Sequence, residues 1–332
     1  MRRTLLIGAS SAVAIVALAL LWNAPPAAPR SSGSATDEDA NFGDSTVSGA
    51  RPVPPLEEMH FADGAPAVAF FALGDTGYGG ALLEANARAM EKEAEVRPVD
   101  FVLLLGDNFY LEGVRSLDDP MWRERFEDAF PGTRLQVPFH VVLGNHDHRG
   151  EPDIQIAYTK TKTRWHLPAH WYTFSVPIGG GDEAQFFALD TEPMRGAAGD
   201  AGEQETWLRA ELARSKARWK IAFGHHPVLS HGAHGPTLGV AELLAPLFER
   251  YGVDLYLSGH DHDLQLIRSK AGWIQVVSGA SSSTRDTRWS DDTLFAAASP
   301  GYAWVGVSRS EMWIEIDTAA DGPRFRRRVT KP

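Results

Sequence analysis

From Pro66 onward, short apolar runs alternate with amphipathic stretches along the chain. The runs have the length and the β-branched or aromatic content of buried strands. They cover residues 67–73, 99–105, 139–143, 185–189, 220–223, 253–257 and 273–277. The amphipathic stretches, predicted as helices, are residues 82–95, 119–130, 203–216 and 240–250. This alternation predicts an α/β protein with largely parallel sheets, and further runs at 303–308, 312–317 and 324–329 predict closing antiparallel strands.

A glycine and then a polar residue follow five of these predicted strands. The five pairs are Gly74-Asp75, Gly106-Asp107, Gly144-Asn145, Gly224-His225 and Gly259-His260. Because ligands bind at the carboxyl edge of open α/β sheets, we expect these side chains to converge there. The glycine allows the tight turn that presents each side chain. The sequence therefore predicts a single site at one edge of the sheet.

The candidate ligands at this edge combine hard oxygen donors with imidazoles. They are Asp75, Asp107, Tyr110, Asn145, His225, His260 and His262. Such a set suits Fe, Zn or Mn rather than Ca or a thiolate site. Asp107 has two carboxylate oxygens, which can bridge a pair of ions about 3.5–4 Å apart. His260 and His262 are two positions apart, so an extended segment would point both imidazoles the same way.

The five blocks, in this order and with these spacings, resemble the metallophosphoesterase superfamily. Most members carry Asp-x-His in the first block, whereas Gly77 stands at the position of that His here. Tyr110 would supply the missing donor as a phenolate, a replacement that marks the purple acid phosphatases. Residues 106–113, 144–148, 155–158, 234–237 and 256–265 resemble the small tartrate-resistant acid phosphatases, and the likeness extends over residues 66–328.

The resemblance implies a four-layer α/β/β/α sandwich in which two mixed sheets are flanked by helices. It implies Fe(III) bound by Asp75, Tyr110, His262 and the bridging Asp107. It also implies a divalent Fe, Zn or Mn ion, whose expected ligands are Asn145, His225, His260 and the same Asp107. Three anionic oxygens would thus surround the trivalent ion, and a phenolate on Fe(III) would give a visible colour.

The activity implied by the resemblance is hydrolysis of small phosphomonoesters by in-line attack of a metal-bound hydroxide at acidic to neutral pH. His234 is expected to be the proton donor and His146 a phosphate contact and partial donor, although the two roles are exchangeable. Asp147 is expected to orient an adjacent imidazole or ligand. The animal enzymes have a Glu where this chain has Ala233, and residues 192–205 are short, so no activation by loop cleavage is expected.

Two other activities are compatible with the same residues: phosphodiester or nucleotide hydrolysis, and redox activity of an iron pair. A third alternative, a metal-binding protein without turnover, is disfavoured by the full ligand set with both outer histidines. The remaining histidines are assigned to other roles. Packing or rim positions are expected for His148, His226 and His231, and structural positions for His60, His140, His166 and His170.

The N-terminal region differs in composition from the rest of the chain. Arg2 and Arg3 precede an uncharged stretch from Leu5 to Trp22, which predicts an export signal or an N-terminal membrane anchor over residues 1–24. Residues 25–60 are predicted to be a flexible linker and residues 61–332 the catalytic domain. We expect a periplasmic, secreted or membrane-anchored monomer. The formal net charge of −11 argues against nucleic acid as a partner, so an anionic substrate needs a local positive site such as a metal.

Overall fold

The predicted strands and helices lie within residues 45–161, 164–196 and 201–331, which the computed structural model describes. The strands are β1 (Val47–Ser48), β2 (Val68–Leu73), β3 (Phe101–Leu105), β4 (Phe139–Val142), β5 (Trp165–His166), β6 (Tyr172–Gly179), β7 (Asp182–Ala188), β8 (Trp219–Phe223), β9 (Leu255–Ser258), β10 (Leu264–Arg268), β11 (Ile274–Ser278), β12 (Thr287–Arg288), β13 (Thr293–Ala297), β14 (Gly301–Val307), β15 (Glu311–Thr318) and β16 (Gly322–Thr330). The helices are α1 (Gly80–Val96), α2 (Pro152–Tyr158), α3 (Gly202–Arg214) and α4 (Leu238–Tyr251). Short 3-10 turns lie at Asp147–Arg149, Thr159–Thr161 and Pro193–Arg195.

Most strands belong to two seven-stranded mixed sheets. The first has the order β16-β15-β14-β2-β3-β4-β5, in which β2 to β5 are parallel and β14 to β16 are antiparallel. The second has the order β13-β10-β11-β9-β8-β7-β6, with parallel central strands and antiparallel strands at both edges. The predicted parallel strands and the closing antiparallel strands are therefore present.

The alternation of side chains along the central strands separates two apolar layers. In β7, Phe186 meets Phe70 of β2 with 5.4 Å between ring centroids, in the core between the sheets. The next residue, Phe187, joins the cluster that includes Leu208 of α3 and Leu244 of α4. On the first sheet, α1 buries Leu83, Ala87 and Met90, which are spaced along one helix face. The predicted four-layer α/β/β/α sandwich is confirmed.

One predicted helix differs from the structure. Within residues 119–130, only residues 121–127 are helical, and Arg123–Glu127 form a π-helical turn. The surrounding packing explains the difference: Trp122 stacks on Tyr158 with 3.5 Å between ring centroids, and Phe126 meets Trp165 at 5.0 Å. These large rings fix the segment through tertiary contacts, which override its helical periodicity.

The N-terminal part of the described chain lies against the domain from residue 45 onward. β1 pairs in parallel with β12, and the backbone N–H of Thr46 donates to Asp286 at 2.7 Å. Residues 46–48, within the predicted linker, are thus bonded to the domain. The predicted signal or anchor and residues 25–44 of that linker lie outside the described residues. Within the described part of the chain, no helix is both long enough and apolar enough to span a bilayer.

Candidate metal centre

The carboxyl ends of five parallel strands deliver the seven predicted ligands to one place. Asp75 follows β2, Asn145 follows β4, and His225 follows β8. The loop after β3 supplies Asp107 and Tyr110, and the loop after β9 supplies His260 and His262. Strands of both sheets therefore contribute to the site, and each ligand lies within a few residues of a strand end.

One half of the centre is built around the Tyr110 hydroxyl. Its oxygen lies 2.9 Å from Asp75 Oδ1, 2.9 Å from Asp107 Oδ2 and 3.1 Å from His262 Nε2. His262 Nε2 is also 3.3 Å from Asp75 Oδ1. The structure thus brings together the four residues that the resemblance assigns to a trivalent ion.

The other half of the centre is built around His225. Its Nε2 lies 3.1 Å from Asn145 Oδ1 and 3.3 Å from Asp107 Oδ2. The His260 ring lies beside it, with 5.1 Å between ring centroids. Asp107 Oδ2 contacts donors of both halves, which is the position required of a bridging carboxylate.

Three of these residues hold unusual backbone conformations. Among the described residues, the non-glycine residues with positive φ are Asp75 (60°), Asp107 (51°) and His260 (70°). Each such conformation costs about 1–3 kcal/mol and persists only where the surroundings enforce it. Here Asp75 Oδ2 accepts the N–H of His260 at 2.9 Å, and Asp107 Oδ1 accepts the N–H of His146 at 2.8 Å. The backbone strain is thus concentrated at residues whose side chains belong to the centre.

Burial and neighbouring charge shift the pKa values of the donor groups. Burial and the carboxylates of Asp107 and Asp75 raise the pKa of the Tyr110 phenol well above its usual value. Burial and the adjacent imidazoles lower the pKa of His260 well below its usual value, which favours the neutral ring. Burial opposes protonation of His225, but Asp107 and Asp75 outweigh it and raise its pKa to about 10. A phenolate at Tyr110 therefore needs a strong cation, and a metal at His225 would replace a proton.

The donor set fits a pair of transition-metal ions. Metal–ligand bonds of about 2.0–2.2 Å place adjacent donors about 2.9–3.5 Å apart. The contacts between donor atoms described above span 2.9 to 3.3 Å. Asp75 and Asp107 are 0% and 2% exposed, and carboxylates buried so deeply require cationic partners.

Two glycines explain how these groups approach so closely. A Cβ on Gly77 would lie 2.5 Å from the backbone N of Tyr110, so no histidine fits at that position. A Cβ on Gly144 would lie 2.2 Å from Asp107 Oδ1. The first glycine accounts for the departure from Asp-x-His, because the backbone that carries Tyr110 occupies that space.

The two predicted outer histidines flank the centre on different sides. His146 Nε2 is 4.0 Å from Asp107 Oδ2, and its Nδ1 is 2.7 Å from the Leu111 carbonyl oxygen. The His234 ring stacks on His260 at 4.4 Å between centroids. Arg285 Nη1 lies 2.8 Å from His234 Nε2. Both histidines are thus adjacent to ligands of the predicted ions.

Several supporting residues were not predicted. Ser283 Oγ contacts His262 Nδ1, and Ser282 Oγ donates to the Asp75 carbonyl. The buried side chain of Arg285 is a further cation beside His234. The serines follow β11, so they carry the same strand-end signal as the ligands, whereas the sequence offers no signal for Arg285.

Asp147 was expected to orient an adjacent imidazole or a ligand, and the structure shows its carboxylate bonded to the backbone turns that carry the ligands. Its carboxylate accepts the N–H groups of Gly144 at 2.9 Å and of Asn108 at 3.1 Å, and the side-chain amide of Gln155 at 2.9 Å. Burial and Asp107 raise its pKa to about 6. These bonds hold the turns after β3 and β4 in register.

The family model for calcineurin-like phosphoesterases matches residues 68–264. Two solved structures share the fold. GAP50, the anchor in the inner membrane complex of Plasmodium, has a TM-score of 0.75 and 23% identity over 80% of this chain and 89% of that one. A purple acid phosphatase from yellow lupin seeds has a TM-score of 0.62 and 17% identity over 80% of this chain and 55% of that one. The chain belongs to the calcineurin-like phosphoesterases.

Within that family, its sequence relatives include acid phosphatases. Human tartrate-resistant acid phosphatase type 5 is 35% identical over 309 residues, which cover 81% of this chain and 93% of that protein. Purple acid phosphatase 4 of Arabidopsis thaliana is 31% identical over 269 residues, which cover 74% of this chain and 78% of that protein. The predicted resemblance to the small purple acid phosphatases is confirmed.

Proposed function

We propose that this protein, which is an acid phosphatase, hydrolyses small phosphomonoesters with Fe(III) and a divalent Fe, Zn or Mn ion. The observation that carries the proposal is the Tyr110 hydroxyl, which lies 2.9 Å from both buried carboxylates and 3.1 Å from His262 Nε2. A bound metal pair supplies Lewis acidity and an activated water for in-line attack on phosphorus.

The charges of the donors support an unequal pair of ions. Asp75, Asp107 and the Tyr110 phenolate would offer three anionic oxygens to the trivalent ion, together with His262. Asn145 is a neutral amide, and with His225 and His260 it suits the divalent ion. Asp107 would also bind the divalent ion, so it would bridge the pair. Ser283 and Leu105 fix the imidazoles of His262 and His225 through their Nδ1 atoms, so both Nε2 atoms would be available to bind the ions.

The hydrogen bonds of the outer histidines support an exchange of their predicted roles. His146 turns Nε2 toward Asp107, while its Nδ1 lies 2.7 Å from the Leu111 carbonyl oxygen and 3.1 Å from Arg149 Nη1. A protonated His146 would therefore present its Nε2 proton to the leaving oxygen, because that nitrogen lies 4.0 Å from Asp107 Oδ2. A guanidinium only donates, so the 2.8 Å contact with Arg285 makes Nε2 of His234 an acceptor. We therefore assign His146 as the proton donor, and His234 with Arg285 as the phosphate-binding side.

The reaction class is tested by comparing p-nitrophenyl phosphate with bis(p-nitrophenyl) phosphate. We expect the monoester to be hydrolysed at least about tenfold faster, and we expect Asp107→Asn to lose this activity because it removes the shared carboxylate. Faster hydrolysis of the diester would favour a phosphodiesterase. Peroxide-dependent oxidation as fast as monoester hydrolysis would favour redox chemistry instead.

We also propose that the catalytic domain acts outside the cytoplasm. The support is the basic start and apolar stretch of residues 1–24, which are typical of an export signal or anchor. Cell fractionation of the tagged full chain tests it. Recovery of the protein only in the cytoplasm would contradict export.

A further inference from the structure

A second group of histidines and carboxylates lies outside the seven ligands described above. His148 Nε2 is 2.9 Å from Asp190 Oδ1 and 3.0 Å from Oδ2, and His170 Nδ1 is 3.1 Å from Oδ2. One donor atom from each of these three residues lies within 4.8 Å of the others. His148 was expected at a rim or in packing and His170 in a structural role, so their convergence on one carboxylate was not predicted.

These residues come from three separate segments near the strand ends. His148 lies in the Asp147–Arg149 turn, three residues after Asn145, and Asp190 follows β7. His170 precedes β6. The side chains of His148 and His170 are 21% and 33% exposed, whereas that of Asp190 is 2% exposed. An ion from solvent can therefore reach the two imidazoles, while the carboxylate at the base is held inside.

We propose that His148, His170 and Asp190 form a third, mononuclear site for Zn(II) or another borderline divalent ion, with water completing the coordination. Zn–ligand bonds of about 2.0–2.2 Å place tetrahedral donors about 3.3–3.5 Å apart. The present contacts of 2.9–3.1 Å reach that spacing when the three donors move apart by a few tenths of an ångström. Two imidazoles and one carboxylate with an open position are a donor set that zinc accepts.

The surroundings of His170 support ligation by its Nδ1. Its other nitrogen, Nε2, lies 3.0 Å from Asp153 Oδ1. A carboxylate in this position holds the proton on the outer nitrogen of a metal-bound imidazole and strengthens the ligand. Without a metal, both ring nitrogens face carboxylates and both must donate, so the ion would replace the Nδ1 proton.

The Asp190 carboxylate is fixed in place before any ion binds. The Asp190 N–H donates to Gln204 at 3.0 Å, and the Gln204 amide donates back to the Asp190 carbonyl at 2.7 Å. The backbone N–H of Glu192 donates to Asp190 Oδ1 at 3.3 Å, which holds the carboxylate itself. An ion at this site would tie the turn that follows Asn145 to the end of β7, so it would stabilise one wall of the dinuclear centre.

The test counts zinc on the iron-loaded holoenzyme after equilibrium dialysis against micromolar free zinc. We expect the wild type to bind one more zinc per chain than His170→Gln, at equal iron content. Asp153→Asn keeps all three ligands but loses the supporting carboxylate, so we expect its zinc affinity at this site to fall by about 10- to 100-fold. His60→Gln, which alters an exposed histidine away from the group, is the matched control.

The outcome separates a metal site from a simple set of ion pairs. Equal zinc content and equal affinity in the wild type and His170→Gln would overturn the proposal. If His170→Gln does not fold, an unchanged zinc affinity in Asp153→Asn would overturn it equally. Iron retained in both variants would show that a change in zinc content reports on this site and not on the dinuclear centre.

Discussion

Asp75, Asp107 and His260 combine strained backbone with a ligand side chain. Each positive φ costs about 1–3 kcal/mol, which the protein tolerates because the resulting turn aims a donor at the centre. The N–H of His260 donates to Asp75, so the hydrogen bond that holds one strained residue also holds the other. Their proposed role as ligands therefore explains why these three residues depart from the usual backbone conformations.

The roles of the two outer histidines can be separated by the leaving group. For an alkyl phosphate, whose leaving oxygen needs a proton, we expect His146→Gln to lower kcat by about 10²- to 10⁴-fold. For p-nitrophenyl phosphate, whose leaving group is a weak base, the loss is expected to be much smaller. Steady-state kinetics of His146→Gln and His234→Gln on both substrates provide the comparison. A larger leaving-group effect in His234→Gln would restore the original assignment of His234 as donor.

Arg285 is expected to contribute to phosphate binding. Arg285→Met removes the buried guanidinium beside His234, and a lost charge-assisted hydrogen bond of about 1.5–3 kcal/mol corresponds to a KM increase of about 10- to 100-fold. Arg285→Lys keeps the charge, so its KM is expected to lie between those of the wild type and Arg285→Met. Arg288→Met, at an exposed position of β12, is the control. A KM unchanged in Arg285→Met would remove Arg285 from the site.

The turns between strand and ligand are the structural elements on which the centre depends. Gly144→Ala places a Cβ 2.2 Å from Asp107 Oδ1, so the carboxylate or the turn must move. We expect this variant to fold but to lose most of its bound metal, measured by elemental analysis. Gly202→Ala, where a Cβ meets nothing within 4 Å at the start of α3, is expected to keep its metal and to be slightly more stable. Full metal content in Gly144→Ala would contradict this role of the turn.

The strands that build the site were the easiest elements to predict. β2, β3, β8 and β9 are buried on both faces and appear as continuous apolar runs. The edge strand β6 contains polar residues and Pro177, so it lacks such a run, and it was not predicted. Short strands such as β5 exist only through pairing with a neighbour, here β4, which no local pattern reveals.

The residues of the candidate site fall into the same two groups: those that local patterns predict and those that only tertiary contacts bring together. All seven predicted ligands converge because each follows a strand end that the apolar pattern locates. Arg285, His148 and His170 meet their partners through tertiary contacts between loops, so sequence spacing did not reveal them. Ser283 and Asp190 follow strand ends, so they carry the same signal as the ligands, but they were not predicted. β1 lies within the predicted linker, and its contacts with β12 and Asp286 join distant segments, so no local pattern reveals them.

The buried carboxyl group of Asp317, on β15, predicts how stability depends on pH. It interacts with Glu93 of α1 and with Glu315 of its own strand. Burial, together with Glu93 and Glu315, raises the pKa of Asp317 from 3.8 to about 9. The folded state therefore favours protonated Asp317, and this contribution to stability is lost as pH rises from about 4 to about 9. We expect Tm to fall over that range, and Asp317→Asn, which stays neutral, to flatten the fall. Parallel Tm profiles for the two proteins would contradict the assignment.

The visible absorption spectrum of the purified, iron-containing protein tests the metal centre most directly. We predict a broad visible band from a Tyr110 phenolate on Fe(III), its loss in Tyr110→Phe, and its retention in Tyr78→Phe, whose ring stacks on Tyr110 at 4.0 Å. An iron-loaded protein without the band, or an identical band in Tyr110→Phe, would contradict the proposed ligand set.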